Sequence, residues 1–459
     1  MRPASTCLAC MCAALMGCSG PASQAHEEHP SGAAGGGEAD LLPVGYFPPY
    51  EIAPACAGRQ DTCECTDKRV IQVAVGDAHS CALLENGKVR CWGSGTYGML
   101  GYGNQEHMGD DETPADAGDV DVGGKVVQIA TGGAHTCALL ESGVVRCWGD
   151  ASRGQLGYGS KENIGDDETP ASVGDVDLGG KVVQIATGFV HTCALLEQGS
   201  VRCWGSGKNG KLGYGHTRNI GDDETPASAG DVDVGGKVAQ IAAGGGQTCA
   251  LLTTGKVRCW GKAYNGELGY GNKEDIGDDE TPASAGDIDI EERALQVSTG
   301  PLHTCVLLEG GGVRCWGYNY GHQLGSDKPP KIGDDEPPGE SNAMELAGPA
   351  LQIAAGRDHT CAIIESGKVQ CWGMGKHGKL GYGSQDDIGD DESPAAAGFV
   401  DVGCPVAQVT AGNNHTCALL ASGVVRCWGD GALGRLGYGN SHDIGDDEAP
   451  AQAGDVPVH

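Results

Sequence analysis

The sequence predicts an all-β fold: a seven-bladed β-propeller of 56-residue repeats, preceded by a lipoprotein signal peptide and a flexible tether. Two observations predict the propeller. All seven tryptophans recur at intervals of 56 residues, and each lies in a copy of one unit with four short β-branched or apolar runs. A solenoid coil of 56 residues would be unusually long, so four-stranded blades fit the repeat better. The tryptophans are Trp92, Trp148, Trp204, Trp260, Trp316, Trp372 and Trp428.

The chain begins with a stretch, residues 1–17, that resembles a bacterial lipoprotein signal peptide. It carries one positive charge, Arg2, and an apolar run over 7–17 that ends in Leu-Met-Gly immediately before Cys18. This run is too short for a bilayer, which needs about 20 apolar residues. We therefore expect cleavage before Cys18, lipidation of Cys18, and a protein anchored in the cell envelope, at a bacterial outer membrane or cell surface.

Three further segments follow the signal peptide. Residues 18–55 are rich in Gly, Ala, Pro and polar residues, which predicts a disordered tether. Residues 56–68 form a cysteine-containing cap, and residues 69–459 form the propeller.

The second repeat illustrates the elements of one blade. Runs at 126–132, 135–141 and 144–149 predict three strands, and alternating apolar and acidic residues over 174–179 predict a fourth. No run is spaced like a helix. The Asn-Gly at 86–87 in the first repeat is a tight-hairpin signal. Since strands alternate in direction, the first-to-second and third-to-fourth connections should emerge on one face and the hairpins on the other.

The recurring run G-x-x-H-T-C-A-L-L-x-x-G-x-V-R-C-W-G-x-G-x-x-G-x-L-G-Y-G resembles the regulator of chromosome condensation repeat. Its paired cysteines resemble the form common in secreted bacterial proteins. The resemblance covers all seven units and implies a seven-bladed propeller. The chain departs from the eukaryotic founder in its acidity and its lack of basic patches, so nucleotide exchange and chromatin binding do not carry over. Other members resemble inhibitors, adaptors and a light receptor, so the fold leaves the function open.

Each repeat contains two cysteines ten positions apart across the hairpin. Directly opposed residues of antiparallel strands have Cβ atoms about 4.5–5.5 Å apart, and a disulfide needs about 3.5–4.5 Å. We therefore expect one disulfide in each blade. Reduced or metal-binding pairs are the alternative, but zinc requires four converging ligands. The pairs are Cys81/Cys91, Cys137/Cys147, Cys193/Cys203, Cys249/Cys259, Cys305/Cys315, Cys361/Cys371 and Cys417/Cys427.

Four other cysteines flank the junction between the first and last blades. Cys56, Cys63 and Cys65 precede the first blade, and Cys404 precedes the first strand of the seventh. A closed ring makes these places neighbours. We expect one disulfide from Cys404 to the 56–65 cluster and a second within the cluster, although the sequence does not decide the pairing.

The repeated tryptophan and histidine are predicted to be structural. One equivalent Trp per blade suits packing between blades. The histidine recurs in six blades and is replaced by Gln247 in the fourth, and an amide can substitute for a hydrogen-bonding imidazole but is a poor transition-metal ligand. Seven equivalent residues with no companion nucleophile also do not indicate a catalytic base. The histidines are His79, His135, His191, His303, His359 and His415.

A Gly-Asp-Asp-Glu (GDDE) motif recurs in every repeat, with its three acids at 110–112, 166–168, 222–224, 278–280, 334–336, 390–392 and 446–448. Its Asp side chains could satisfy the turn amides before the Thr-Pro, with a neighbouring acid paired to the arginine of the third strand, a series that Gln370 interrupts. We favour this interpretation and expect no cofactor. The alternative is Ca²⁺, which takes 6–8 oxygen ligands, although the motif lacks the alternating spacing of an EF-hand.

A formal charge of -32 disfavours binding to nucleic acids and to anionic lipids. The basic and aromatic residues that differ between repeats lie mostly in the turn after each Trp-Gly, and such side chains commonly anchor interfaces. The fifth repeat departs most from its siblings. The predicted partner-binding residues are Tyr97, Arg153, Lys208, Tyr264, Tyr318, Tyr320, His322, Lys328, His377 and Arg435.

We expect a monomeric, non-catalytic binding scaffold that engages a protein or a surface glycan through the face with the variable loops. The alternatives are a polysaccharide-active enzyme with its site at the axial channel and a secreted enzyme inhibitor. The repeats are too alike to reveal the unique polar residues that a propeller enzyme requires. The sequence does not identify the partner.

Overall fold

The structure is a computed structural model that describes residues 69–326, 330–341 and 343–459. In this part of the chain, seven antiparallel sheets follow one another, one per repeat. The predicted all-β architecture of seven blades is confirmed. The predictions for the signal peptide, Cys18, the tether and the 56–68 cap, with Cys56, Cys63 and Cys65, lie outside the described residues, as does Lys328.

The strands keep the same order in every blade. They are β1 (Val70–Val75), β2 (His79–Leu84), β3 (Val89–Gly93); β4 (Val126–Thr131), β5 (His135–Leu140), β6 (Val145–Gly149); β7 (Val182–Thr187), β8 (His191–Leu196), β9 (Val201–Gly205); β10 (Val238–Ala243), β11 (Gln247–Leu252), β12 (Val257–Gly261); β13 (Ala294–Thr299), β14 (His303–Leu308), β15 (Val313–Tyr318), β16 (Lys331–Ile332); β17 (Ala350–Ala355), β18 (His359–Ile364), β19 (Val369–Gly373); and β20 (Val406–Ala411), β21 (His415–Leu420), β22 (Val425–Gly429).

The register defines two faces of the propeller. His79 at the start of β2 lies opposite Gly93 at the end of β3, so the β1–β2 turn and the segment after β3 emerge together. Val70 at the start of β1 lies opposite Leu84, beside the β2–β3 hairpin. We call these the loop face and the hairpin face. The loop face carries the β1–β2 turn and the segment after β3, and the hairpin face carries the β2–β3 hairpin, as expected from alternating strand directions.

The fourth strand is shorter than expected. Among the described residues, the fifth sheet alone gains a fourth strand, β16, which pairs with Gly317 and Tyr318 and corresponds to residues 163–164 of the second repeat. The segment predicted at 174–179 makes a single ladder bond, from the Val176 amide to the Val145 carbonyl. In the first blade the Val122 amide bonds back to the Val120 carbonyl, a three-residue turn that bends this segment away from the ladder. Its apolar side chains remain buried, as Val176 and Leu178 show.

Short helices, which the sequence did not predict, occupy the connections. In the part of the chain that the structure describes, six four-residue α-helices begin at the proline after the GDDE motif, since proline suits the first helical position. They are α1 (Pro114–Ala117), α2 (Pro170–Val173), α3 (Pro226–Ala229), α4 (Pro282–Ala285), α5 (Pro394–Ala397) and α6 (Pro450–Ala453). Single 3₁₀ turns span Thr96–Gly98, Lys208–Gly210, Pro338–Glu340, Lys376–Gly378 and Ala432–Gly434.

Glutamine amides join the first strands of consecutive blades into a ring. Gln72 Nε2 donates to the Ile129 carbonyl at 2.9 Å, and its Oε1 accepts from the Ile129 amide at 2.9 Å. The same paired bond recurs at every junction, and Gln408 makes it with Val73 to close the seventh blade onto the first. The ring is therefore closed. Sequence analysis missed these glutamines, although Gln recurs at one position of every repeat.

The tryptophans lie in the contacts between blades, as predicted. Each Trp side chain is fully buried. Gly101, in the loop of the first blade, lies against Trp148 of the second, and a Cβ at Gly101 would approach Trp148 Nε1 to 2.8 Å. Gly101 also has a φ of 82°, which favours glycine. Gly437 covers Trp92 in the same way across the ring closure.

Candidate partner-binding surface

Each blade contains the predicted disulfide. Cys137 lies directly opposite Cys147 in the ladder, and all seven pairs have S–S distances between 2.04 and 2.10 Å. The paired cysteines are therefore oxidised, and the alternative of reduced or metal-binding pairs is wrong. The seven bonds are Cys81–Cys91, Cys137–Cys147, Cys193–Cys203, Cys249–Cys259, Cys305–Cys315, Cys361–Cys371 and Cys417–Cys427.

The second cysteine of each pair has a further contact that sequence analysis missed. The Cys147 amide donates to the Tyr158 hydroxyl of the Leu-Gly-Tyr-Gly run at 3.2 Å, rather than to the facing strand. Amides of a non-hydrogen-bonded pair point away from the facing strand, and this pairing also brings the two side chains close. The same bond to tyrosine is made by Cys91, Cys203, Cys259, Cys371 and Cys427.

The fifth blade departs from this arrangement. Ser326 stands where the other repeats have the tyrosine, so Cys315 has its disulfide to Cys305 without a tyrosine hydroxyl beside it. All fourteen half-cystines are nevertheless buried, and Cys315, at 5%, has the largest exposed fraction. These cysteines therefore hold the blades together and are not part of an exposed binding surface.

Cys404 is also disulfide-bonded, and its partner lies outside the described residues. Its pairing with Cys56, Cys63 or Cys65 stays a prediction. The chain entering the seventh blade is in any case covalently tied at this position.

The repeated histidine joins one blade to the next. His135 Nε2 lies 2.8 Å from Thr192 Oγ1 of the following blade, and the Thr192 hydroxyl donates to the Gln155 carbonyl. Because that hydroxyl proton is committed, Nε2 must carry the imidazole proton and donate it. The same bond closes the ring from His415 to Ser80. Gln247 instead donates to the Gly300 carbonyl of the next blade.

Burial keeps these histidines neutral. It lowers the pKa of His135 to about 4 and that of His79 to about 3, because the charged imidazole loses its hydration. Nδ1 of His135 is buried and has no hydrogen-bond partner among the described residues. A neutral imidazole that donates to a neighbouring blade serves packing and orientation, in agreement with the structural interpretation.

The GDDE motifs lie against the preceding blade. The Gly103 amide of the first blade donates to the Gly165 carbonyl of the second, and Lys161 Nζ lies 3.1 Å from an oxygen of Asp222 in the third. Within the motif, the Gly109 amide donates to Glu112 Oε1. The turn amide is therefore satisfied by the glutamate of the motif, whereas the prediction gave this role to the aspartates.

The third-strand arginine pairs with an acid outside the GDDE motif. Arg146 Nε donates to Asp175 at 2.8 Å, and its Nη1 donates to the Val122 carbonyl of the preceding blade. In the sixth blade Gln370 replaces the arginine and bonds to the Pro394 and Gly398 carbonyls. The other Arg–Asp pairs are Arg90–Asp119, Arg202–Asp231, Arg258–Asp287 and Arg426–Asp455.

The glutamate of the GDDE motif has a raised pKa. Burial, together with the adjacent Asp167 and Asp166, raises the pKa of Glu168 to about 7, because a second and third negative charge nearby disfavour ionisation. The three carboxylates of a motif bring ligand oxygens within 4.8 Å of one another. Calcium binding at these loops stays a prediction.

An exposed aromatic and basic cluster lies on the loop face where the fourth and fifth blades meet. The Tyr318 and Tyr320 rings are 5.0 Å apart, and Lys331 Nζ lies 4.8 Å from the Tyr264 ring centroid. Lys262 Nζ lies 5.8 Å from the same ring. Tyr264 and Tyr320 are 65% and 63% exposed. We call these five residues the tyrosine patch.

The tyrosine patch contains three of the predicted partner-binding residues. Sequence analysis missed Lys262, which lies two residues before Tyr264, and Lys331, which only the fold brings beside Tyr264. The signal was the unusual fifth repeat, in which lysine stands at 331 where the other repeats have His, Asn or Asp.

The remaining predicted binding residues are dispersed over other blades. Tyr97, Arg153 and Lys208 are exposed on the first, second and third blades. His322 is half-buried. His377 hydrogen-bonds to Asp443 of the next blade, and Arg435 is mostly buried and pairs with Asp430. The structure therefore does not gather these six residues into one site.

A profile of the RCC1-like domain matches the chain over residues 53–398 and again over 165–458. The chain belongs to the RCC1-like domain family. It is 32% identical over 379 residues to the ultraviolet-B receptor UVR8 of Arabidopsis thaliana, which covers 82% of this chain and 80% of the receptor. It is 28% identical over 354 residues to the human E3 ubiquitin-protein ligase HERC2, covering 76% of this chain but 7% of the ligase.

A solved structure shares the fold. Yeast RCC1 (Prp20), determined with Kap60 bound, matches with a TM-score of 0.64 at 18% identity and covers 93% of this chain and 90% of that chain. RCC1-like propellers thus include a receptor and a protein captured with a protein partner. Among the described residues, no helix is long and apolar enough to cross a membrane.

Proposed function

We propose that this protein is a monomeric, non-catalytic binding scaffold of the cell envelope, anchored by a lipid on Cys18. It engages a protein or a surface glycan through the loop face. The observation that carries the proposal is the tyrosine patch, because exposed aromatic rings with basic neighbours are unusual on a chain with a charge of -32.

The chemistry of the patch suits recognition. Tyr264 and Tyr320 present flat apolar rings with a hydroxyl, which can stack on a sugar ring or fill a protein pocket. Lys262 and Lys331 hold positive charge at the edge of the Tyr264 ring. The glycine turns and backbone bonds of the fourth and fifth blades fix these side chains on a rigid support.

The repeats also favour binding over turnover. The repeated histidines are buried and hydrogen-bonded between blades. Their burial withholds them from a substrate in solution. The family likeness to a receptor and to a protein solved with Kap60 is consistent with a scaffold.

The test combines cross-linking and capture from envelope extracts with binding to an array of surface glycans. A Tyr264→Ser/Tyr320→Ser variant should lose about thirtyfold in affinity for each captured molecule, the loss expected for about 2 kcal/mol at an interface anchor. Phe399→Ser is the matched control, since Phe399 is also exposed and lies 4.6 Å from Lys368 Nζ, away from the patch. Equal capture by wild type and the double variant, or turnover of a glycan by purified protein, would overturn the proposal.

The anchor has its own test. Wild-type protein expressed in bacteria should incorporate labelled fatty acid and fractionate with membranes, and Cys18→Ser should do neither. Labelling that persists in Cys18→Ser would refute the assignment of the lipid site.

A further inference from the structure

A histidine and two aspartates meet on the loop face where the sixth and seventh blades touch. His377 comes from the sixth blade, and Asp430 and Asp443 come from the seventh. Their candidate ligand atoms all lie within 4.8 Å of one another, and His377 Nδ1 is 2.8 Å from Asp443 Oδ2. The side chains of His377 and Asp443 are about one-third exposed, so the group is accessible from solvent.

The repeat places the same three positions together at other junctions. They are the fifth residue after Trp in one blade, and the second and fifteenth residues after Trp in the next. At the junction of the third and fourth blades, Asn209 Nδ2 donates to Asp275 Oδ2 at 2.7 Å, as His377 bonds to Asp443. The fold therefore supplies a common frame whose side chains differ from junction to junction.

Only the junction of the sixth and seventh blades has His, Cys, Asp or Glu at all three positions. The sets at the other six junctions, in chain order, are Tyr97/Asp150/Asn163, Arg153/Ser206/Asn219, Asn209/Lys262/Asp275, Asn265/Tyr318/Lys331, Gly321/Met374/Asp387 and Leu433/Ser94/His107. One imidazole nitrogen and two carboxylate oxygens from two blades form a ligand set with room for water, which suits a first-row transition metal. Imidazole makes Ca²⁺ a poor match.

The two carboxylates are held in place by the backbone. Asp443 Oδ1 accepts from the Gly431 amide at 2.9 Å, and Asp430 Oδ1 accepts from the Ala432 amide at 2.9 Å. In each case the second oxygen is left for another partner. Asp443 Oδ2 faces His377, and Asp430 Oδ2 faces Arg435 Nη1 at 3.2 Å.

Arg435 competes with a metal ion for Asp430 Oδ2. Its guanidinium neutralises Asp430 and must yield that oxygen when a cation binds. The same arginine is anchored by Nε to the Ala432 carbonyl at 2.9 Å, so its charge remains nearby and weakens the attraction of a divalent ion. Removing this charge should therefore strengthen metal binding, an effect opposite to that of removing a ligand.

From this geometry we propose that His377, Asp430 and Asp443 form a site for a divalent first-row transition metal, with Zn²⁺ as the test ion. On binding, the proton of the hydrogen bond between His377 Nδ1 and Asp443 Oδ2 is released to the buffer, the ion takes its place, and water completes the coordination. The site ties the last two blades together on the loop face. This proposal is independent of the tyrosine patch, which lies at another junction.

Calorimetric titration of the intact protein with Zn²⁺, and with Co²⁺ followed by its visible absorption, tests the site. His377→Asn is the decisive variant, because it reproduces the Asn209–Asp275 bond and so keeps the contact between blades. It should weaken the binding of one equivalent about tenfold or more, since loss even of a residue supporting a ligand costs about 10–100-fold. Arg435→Gln should tighten the same equivalent.

Asn209→His is the matched control at the junction of the third and fourth blades. It creates a His–Asp pair beside Lys262 in place of a third ligand, and should add no tight site. His377→Asn leaves the GDDE loops intact, so any metal binding by those loops is the same in wild type and variant and does not contribute to the difference. The proposal fails if His377→Asn leaves Zn²⁺ affinity and the Co²⁺ spectrum unchanged, or if Arg435→Gln weakens the binding.

Discussion

The buried histidine between blades leads to a quantitative prediction of how the free energy of unfolding depends on pH. The pKa of His135 is about 4 in the folded protein, against 6.5 for an unburied imidazole. Because the pKa is lowered, neutral His135 contributes its full stabilisation above pH 6.5. This contribution is lost progressively as the pH falls from 6.5 to about 4. From these two values, linkage gives a loss of about 2 kcal/mol between pH 7.5 and pH 5 from this one residue.

The variant His135→Gln removes this titration and keeps a hydrogen-bonding side chain, as Gln247 does naturally in the fourth blade. It should therefore destabilise the protein less at pH 5 than at pH 7.5, by about 2 kcal/mol relative to wild type. Urea unfolding at the two pH values, followed by tryptophan fluorescence, measures the difference. The control is the same substitution, His to Gln, at the exposed His442. Parallel pH profiles for His135→Gln and wild type would refute the neutral, buried assignment.

Three further predictions concern the blade contacts. Trp204→Ala should cost about 3–5 kcal/mol in unfolding free energy, because the ring is fully buried and Nε1 donates to the Gln155 carbonyl; thermal unfolding resembling wild type would contradict that packing. Cys193→Ala with Cys203→Ala should lower stability by about 2–3 kcal/mol, the effect of opening a short loop, and thiol titration of unfolded wild-type protein should detect the hairpin cysteines only after reduction. If the GDDE carboxylates serve turns, adding Ca²⁺ to EDTA-treated protein should leave the melting temperature unchanged; a rise on adding Ca²⁺ would support the calcium alternative.

The repeat explains why so much of the fold could be predicted from sequence. The 56-residue spacing of Trp148 and its equivalents, the ten-residue spacing of Cys137 and Cys147, and the run of alternating strands are local patterns. Their consequences, the blades and the disulfides, are also local or involve only the next blade. The fourth strand was overestimated, because alternation of Val176 and Leu178 with acids indicates a buried face but not a continuous ladder. A three-residue turn like that at Val122 breaks the pairing.

The binding surface was predicted only in part, for a different reason. Tyr264 and Lys331 are far apart in sequence and meet only because consecutive blades are rotated about the ring axis. Unusual loop residues in the sequence do not reveal which of them will cluster in the fold, as Tyr264 and Lys331 do, and which will lie apart on another blade, as Tyr97 does. Likewise, His377 and Arg435 carried a signal as variable residues, but their acidic partners, Asp443 and Asp430, do not stand out in a chain with 62 acids.

The bonds between blades explain how neighbouring junctions acquire different chemistry without loss of the ring. Thr136 Oγ1 donates to the Met99 carbonyl, and Thr248 Oγ1 donates to the Lys211 carbonyl at the equivalent position. Since the acceptor is backbone, the bond is the same whether the side chain is apolar or charged. The glutamine and arginine bonds between blades also end on backbone atoms.

The hydrogen bonds that end on backbone atoms therefore do not depend on which side chains the loop face carries. A substitution such as Lys211→Gln should leave the Thr248 bond to the backbone carbonyl of residue 211 in place, while it removes the Lys211 Nζ bond to the Gly245 carbonyl and changes the local charge. The same independence allows one junction to present tyrosines and lysines and another to present a histidine with two aspartates. The repeated residues maintain the ring, and selection can act on the variable ones for binding.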